Sequence, residues 1–133
     1  MANLEGQAIA RVWFGDYYAL YLEFGLEIGS YEGSGRPLHQ TTLFVGSSWS
    51  ATRIDGSVVV SEGPDARALL TDMLQGNVVI SIGVTKSATL AIALEDGAAL
   101  VATPYQDGEH DWCIYANEED TAFFQEGNAA FRE

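Results

Sequence analysis

The sequence has little of several things on which whole classes of protein depend. Cys113 is its one cysteine, so neither an internal disulfide nor a cysteine-based zinc cluster can form. Lys and Arg number six against 19 Asp and Glu, and the net charge of -13 repels nucleic-acid phosphates. Long apolar runs are missing too, since Val58 to Val60, Val78 to Ile80 and Leu90 to Leu94 are too short to span a bilayer. The composition argues against nucleic-acid binding and against a membrane segment.

What the chain does contain is typical of one globular domain. Its 133 residues are 47% hydrophobic and 19% charged, which predicts a single domain over 1–133 that folds around one core. Met1 to Gly6 lack the basic start and apolar stretch of a secretory signal, so we expect a cytoplasmic location. The negative charge favours a basic protein partner or cations, or else simply increases solubility.

Two segments of the chain carry the same residue pattern seventy positions apart. The register holds without a gap, and its clearest correspondences are Leu4 with Leu74, Gly6 with Gly76, Val12 with Ile82, Leu22 with Ile92 and Phe24 with Leu94. A solenoid would need three or more copies. The pattern therefore predicts a duplicated supersecondary unit, with copies at about 4–31 and 74–103.

Each copy alternates with a period of two, which predicts half-buried strands joined as antiparallel hairpins. In the first strand of the two copies the predicted core faces are Ala8, Ala10, Val12 and Phe14, and Val78, Ile80, Ile82 and Val84. In the second strand they are Tyr18, Leu20, Leu22 and Phe24, and Ala88, Leu90, Ile92 and Leu94. Turns at Gly25 and at Asp96-Gly97 predict third strands over 27–31 and 99–103.

One amphipathic helix is predicted between the copies, over about 64–75. Pro64 stands at a natural first helical position, and Gly76 can supply a left-handed C-terminal cap. The apolar stripe consists of Ala66, Leu69, Leu70, Met73 and Leu74. Further strands are predicted over 42–45, 57–61, 112–116 and 129–132. The predicted fold is α+β and predominantly antiparallel β, with two repeated hairpin or meander units and this helix packed on the sheet.

The densest polar cluster is an acidic stretch near the carboxyl end, with candidate metal-binding or acid-base residues Asp107, Glu109, His110 and Asp111. Its spacing does not match that of a calcium-binding loop, so a solvated turn between strands is the alternative. His110 and Cys113 would point to opposite faces of one strand, which disfavours a nucleophile-base pair. We expect Cys113 to be a small buried side chain.

The outward faces of the two hairpins differ although their core faces match. The first carries Arg11, Trp13, Tyr17, Tyr21 and Glu23, whereas the second has small residues at the same positions. Large aromatic residues are enriched where proteins bind one another, so Trp13, Tyr17 and Tyr21 are candidate protein-binding residues. The alternative is that a helix or loop covers this face and that the rings simply pack together.

The carboxyl-terminal half resembles a family of small acidic bacterial proteins of unknown function, similar in style to the immunity proteins found beside secreted toxins. The motifs that carry the resemblance are the hairpin ending in Asp96-Gly97, the strand leading to Pro104, an acidic loop with Glu109 before Trp112, and the Gly-rich step at 127–131 into a final strand. The resemblance implies an immunity-like role and assigns no catalytic residue, metal or cofactor.

The leading hypothesis is a non-enzymatic module that binds a protein partner, such as a basic toxin domain. The first alternative is a domain that binds a small molecule or a metal, in the loop from Asp107 to Asp111 or between the repeats. The second is a hydrolase or transferase that uses His110 with Glu109. Homodimerisation through an edge strand or the aromatic face is compatible with all three hypotheses.

Overall fold

The computed structural model describes residues 4–15, 19–31, 33–46, 49–84, 89–103, 112–117 and 121–124. Within these ranges the chain forms strands and a helix. In chain order they are β1 (Ile9–Phe14), β2 (Leu20–Ser30), β3 (Pro37–Val45), β4 (Trp49–Thr52), β5 (Val58–Val60), α1 (Ala66–Leu74), β6 (Val79–Val84), β7 (Leu90–Leu94), β8 (Ala99–Ala102), β9 (Trp112–Ala116) and β10 (Thr121–Phe124). The predicted fold class, mostly antiparallel β with one short helix, is confirmed.

The strands form two five-stranded antiparallel sheets with equivalent orders. The first sheet runs β1-β2-β3-β9-β10, and the second, in the same sense, runs β6-β7-β8-β4-β5. Each sheet therefore takes three strands from one half of the chain and two from the other. Trp112 on β9 pairs with Val45 on β3, and Trp49 on β4 pairs with Ala102 on β8 in the equivalent position. The two halves are interlocked because each completes the sheet of the other.

The halves also meet through reciprocal backbone hydrogen bonds ahead of β1 and β6. The amide of Gly6 donates to the carbonyl oxygen of Val79 at 2.6 Å, and the amide of Gly76 donates to that of Ile9 at 2.8 Å. Gly6 and Gly76 have nearly the same positive φ, 87° and 88°. This reciprocity gives the junction approximate two-fold symmetry.

The core lies between the inner faces of the two sheets. Leu22, Leu43, Ile92 and Leu100 are at most 1% exposed, as are Leu70 and Leu74 of α1. Burial of each such side chain stabilises the fold by roughly 1.5–3 kcal/mol relative to exposure. The predicted helix ends are wrong by one or two residues, since α1 begins at Ala66, two residues after Pro64, and its C-cap is the extended Gln75. Gly76 has a positive φ, but its amide donates to Ile9 and does not cap the helix.

The predicted core face of the first strand is confirmed after the middle of the strand and wrong before it, in both copies. Val12 is buried, and Phe14, Ile82 and Val84 pack against the core as predicted. Ile9 and Val79 are fully buried, whereas Ala10 is exposed and Ile80 is 54% exposed. The reason is a bulge at the same point of each hairpin, between positions 9 and 11 and between 79 and 81, which reverses the alternation. In the second strands the predicted positions from Leu20 and from Leu90 onward are buried as expected, and Tyr18 and Ala88 lie outside the described residues.

The predicted third strand over 27–31 is also wrong, because β2 continues through Gly25 to Ser30. Gly25 has φ +84° and begins a bulged stretch of the β2–β3 pairing instead of a turn. Residues 25–31 and 33–40 thus form a two-stranded extension, here called the arm. The second copy has the tight turn at Asp96-Gly97 followed by β8, as predicted. Strands β4 and β10 were not predicted, and the predicted strand over 129–132 lies outside the described residues.

Candidate functional site

The outer face of the first sheet carries two rows of cross-strand neighbours. One row is Trp13, Tyr21, Phe44 and Cys113, and the other is Arg11, Glu23, Thr42 and Tyr115. We call these eight residues, with Tyr31 and Arg36 from the arm, the aromatic face. The register alone brings together Trp13 and Tyr21, as the sequence predicted, because paired residues of neighbouring strands point to the same side.

Trp13 is held between two other side chains. Its ring is stacked on that of Tyr21, with centroids 3.7 Å apart and planes 1° from parallel. The Cζ atom of Arg36 lies 4.0 Å from the Trp13 ring centroid, and since Tyr21 fills one side, the guanidinium covers the other. Tyr21 also contacts Phe44, with centroids 5.1 Å apart. Trp13 is therefore the centre of a stack whose outer members are Tyr21 and Arg36.

A fully buried carboxylate lies beneath this stack. Glu23 is 0% exposed, and its Oε2 accepts hydrogen bonds from Trp13 Nε1 at 2.9 Å and from the Tyr31 hydroxyl at 2.8 Å. Its Oε1 accepts from the Thr42 hydroxyl at 2.8 Å and from the His39 amide at 3.4 Å. Burial of a carboxylate is costly unless such donors replace water. Glu23 is thus the point at which β1, β3 and the arm are joined.

Residues from both sides of the arm enclose Glu23, namely Tyr31 and His39. Tyr31 stands edge-on to Trp13, with ring centroids 5.5 Å apart. Burial raises the pKa of Tyr31 to about 12, and the hydrogen bond to Glu23 acts in the same direction. The Tyr31 hydroxyl consequently keeps its proton at neutral pH and serves as a donor to the carboxylate.

A second set of polar groups supports the network. Asn117, directly after β9, donates through Nδ2 to the carbonyl oxygen of His39 and to Thr42 Oγ1, at 2.8 Å in each case. The Nδ1 atom of His39 is buried, has no hydrogen-bond partner, and lies 3.9 Å from Glu23 Oε1. All the donors that reach Glu23 are neutral groups, and they fill both of its oxygens.

The predicted burial of Cys113 is confirmed, and several candidate site residues lie outside the described residues. Cys113 is buried, as predicted, and burial raises the pKa of its thiol. Tyr17 and the acidic stretch with Asp107, Glu109, His110 and Asp111 are not among the described residues, so their candidate roles stay predictions. Within the described ranges, no group of three or more His, Cys, Asp or Glu side chains is placed to hold a metal ion.

Tyr31, Arg36, His39 and Thr42 belong to the site but were not predicted from sequence. Thr42 could have been found, since its strand was predicted and only the register of β3 against β2 was lacking. The arm residues depend on the bulges after Phe24, which reorient the hairpin, and a single glycine in the sequence did not distinguish a bulge from a turn.

Comparison with protein-family models, with curated proteins and with solved structures finds no match to this chain. Among the described residues, no helix has the length and apolarity needed to cross a membrane. The functional argument therefore depends on the geometry of the aromatic face.

Proposed function

We propose that this protein is a non-enzymatic protein-binding module and that the aromatic face is its contact surface. The observation that carries the proposal is the stack of Tyr21, Trp13 and Arg36 over the buried carboxylate of Glu23. The family resemblance adds a specific role, that of an immunity-like protein that neutralises a basic partner.

The stack supports binding because it is ordered before any partner arrives. Trp, Tyr and Arg are the residue types enriched at the energetic centres of protein interfaces. Ordering such a side chain on binding costs about 0.5–1.5 kcal/mol. In this protein the indole of Trp13 is already fixed by Tyr21, Arg36 and Glu23, so that much of this cost is absent on association.

The second sheet provides an internal comparison. Its residues in the positions of Trp13 and Tyr21 are Gly83 and Ala91, which pair in the same way. The same strand arrangement therefore forms without large aromatic side chains on its outer face. This favours a binding role for the aromatic pair over the alternative that packing of the fold requires it.

The charges support a partner that is basic overall but not at the point of contact. The net charge of -13 would attract a positively charged protein over long range and raise its association rate. On the aromatic face itself, Arg11 is exposed, Arg36 is half-buried, and the carboxylate of Glu23 is fully enclosed. We therefore expect the partner to place carboxylate or carbonyl groups against Arg36.

The surroundings of Glu23 favour binding over catalysis. Hydrogen bonds from four protein donors occupy its two oxygens, and no part of it is exposed. A catalytic carboxylate must reach a substrate atom directly or through one water. Glu23 is placed to hold the aromatic face in shape instead.

The test is quantitative affinity isolation with matched baits. Wild-type protein, Tyr21→Ala and Val60→Ala would each be used as bait in lysate from the source organism, and any enriched protein would then be purified for affinity measurements. Val60 lies on the outer face of the second sheet and is 47% exposed, so its truncation is a control for loss of surface area.

A basic partner should bind the wild type and Val60→Ala alike, and bind Tyr21→Ala roughly 30-fold more weakly, as for a residue at an interface centre. Its association rate should also fall steeply with salt. Equal affinity for all three baits, or an association rate that does not depend on salt, would refute the proposal.

A further inference from the structure

A cleft of about 350 Å³ lies beside α1 and shares no residue with the Glu23 network. It is bounded by the helix, by the turn between β4 and β5, and by the turn between β7 and β8. The lining residues are Arg53, Ile54, Asp55, Leu69, Asp72, Met73, Asp96 and Ala98. Ligand sites in proteins range from about 300 to 1,000 Å³, so the volume suits one side chain or a small molecule.

The cleft combines an apolar lining with an excess of negative charge. Leu69 and Met73 are half-buried and Ala98 is buried, whereas Ile54 is 69% exposed at the edge. Its charged residues are three aspartates and one arginine, a local balance of -2. No ion pair within 4 Å joins these aspartates to a described Lys or Arg, and Arg53 offsets only part of their negative charge.

Two of the carboxylates are fixed in place and ionised at neutral pH. Hydrogen bonds from the Ser57 hydroxyl and amide lower the pKa of Asp55, and the Ala98 amide is the main group that lowers the pKa of Asp96. The third, Asp72, is an exposed residue of α1. The lowered pKa values keep Asp55 and Asp96 negative at the neutral pH at which proteins associate.

This combination selects for one kind of occupant. An anion would be repelled, and a wholly apolar group would cover ionised carboxylates without pairing them. An alkyl chain that ends in a cation satisfies both parts, because its stem can lie on the apolar lining while its head stays at the wet, acidic edge. We propose that the cleft binds a lysine or arginine side chain of a protein partner.

This inference rests on the proposed protein-binding function and names the basic contact that the net charge of -13 anticipates. It shares no residue with the aromatic face, so the two proposals can fail separately. A protein partner is favoured over a free amine because exposed Ile54 offers apolar contact beyond the cleft to residues that flank the basic side chain.

The test is an NMR titration of the full chain with matched tripeptides. The probes are acetyl-Gly-Arg-Gly-amide and acetyl-Gly-Lys-Gly-amide, the norleucine peptide, which keeps an alkyl chain but lacks the cation, and spermidine as a free polyamine. The Arg and Lys peptides should shift the methyl resonances of Leu69, Met73 and Ala98. The norleucine peptide should leave them in place.

Asp72→Asn tests the acidic edge directly, since Asp72 is exposed and its change should not disturb folding. It should weaken binding of the Arg peptide about two- to fivefold, as expected for an exposed ion pair. Glu62→Gln removes the same charge from outside the cleft and should weaken binding less. Tyr21→Ala should not change the affinity for the Arg peptide.

Four outcomes would overturn the inference. They are equal binding of the norleucine and Arg peptides, shifts that map away from the cleft, equal weakening by Glu62→Gln and Asp72→Asn, and tighter binding of spermidine than of either basic peptide. The two proposals can be told apart. If the Arg peptide binds in the cleft but Tyr21→Ala does not change the affinity for the partner, the inference about the cleft is supported and the proposal for the aromatic face is refuted.

Discussion

The indole of Trp13 and the phenol ring of Tyr21 lie parallel, 3.7 Å apart, on neighbouring strands of the first sheet. The same pairing in the second sheet joins Gly83 to Ala91. One of two sheets with equivalent strand orders thus carries large rings, a buried carboxylate and an arm that encloses this carboxylate. The other sheet has the same strand arrangement without these features.

Removal of the donor from Trp13 should destabilise the protein. In Trp13→Phe, Oε2 of Glu23 loses the hydrogen bond from Nε1 while most of the stacked ring area remains. We expect the free energy of unfolding to fall by about 1.5–3 kcal/mol, the contribution of one hydrogen bond to a charged group, because Oε2 keeps only the Tyr31 donor. Urea denaturation followed by circular dichroism measures this.

Tyr31→Phe removes the second donor to the same oxygen and should show a similar loss of stability. Wild-type stability in both variants would contradict the role given to Glu23.

Stability should decrease at alkaline pH because of Tyr31 and Tyr115. The pKa of each is raised to about 12, for Tyr31 chiefly by burial and for Tyr115 chiefly by its hydrogen bond to Cys113. The unfolded chain loses these protons near pH 10, so it binds fewer protons than the folded state between pH 10 and 12. The contribution of these two phenols to the free energy of unfolding is complete below pH 10 and is lost as the pH rises through 12.

Each phenol can account for at most about 1–2 kcal/mol of this loss once partial exposure is allowed for. Denaturation midpoints from pH 8 to 12 test the prediction, and Tyr31→Phe should flatten the slope above pH 10. A slope that is unchanged in this variant would show that other groups cause the alkaline loss.

The arm should depend on the backbone of Gly25. Its φ is +84°, and an added Cβ would collide with the side chain of Gln40, whose Oε1 accepts a hydrogen bond from the Leu26 amide. Gly25→Ala should therefore cost about 1–3 kcal/mol. Gly29→Ala is the matched control in the same strand, because nothing lies within 4 Å of its added Cβ. Equal thermal stabilities of the two variants would contradict this account of the arm.

The interlocked sheets predict how the chain behaves when it is cut. Fragments 1–63 and 64–133 each lack the two strands that complete their own sheet. We expect neither fragment to fold alone, and an equimolar mixture to recover the amide spectrum of the intact protein. A well-dispersed spectrum from either isolated fragment would show that the exchanged strands are not required.

Regular alternation made parts of the fold and site predictable from sequence. Leu20, Leu22 and Phe24 follow an uninterrupted period of two, so their burial was foreseen, and the same period placed Trp13 and Tyr21 on one face. The failures lie at bulges. One extra residue after Ile9 reverses which side chains enter the core, and a local sequence pattern does not reveal it.

The remaining parts of both sites were beyond prediction because they depend on contacts between segments distant in sequence. Tyr31 reaches Glu23 only because the arm bends over the sheet. The cleft joins Asp55, Asp72 and Asp96 from two turns and a helix. No periodic signal in the sequence links these three positions.

The measurement that tests the central claim most directly is cross-saturation NMR of the protein in complex with its purified partner. Saturation of the partner should transfer to Tyr21 and Arg36 on the aromatic face and leave Val58 and Val60 on the outer face of the second sheet unaffected. Transfer confined to Val58 and Val60, with Tyr21 and Arg36 silent, would contradict the assignment of the aromatic face as the contact surface.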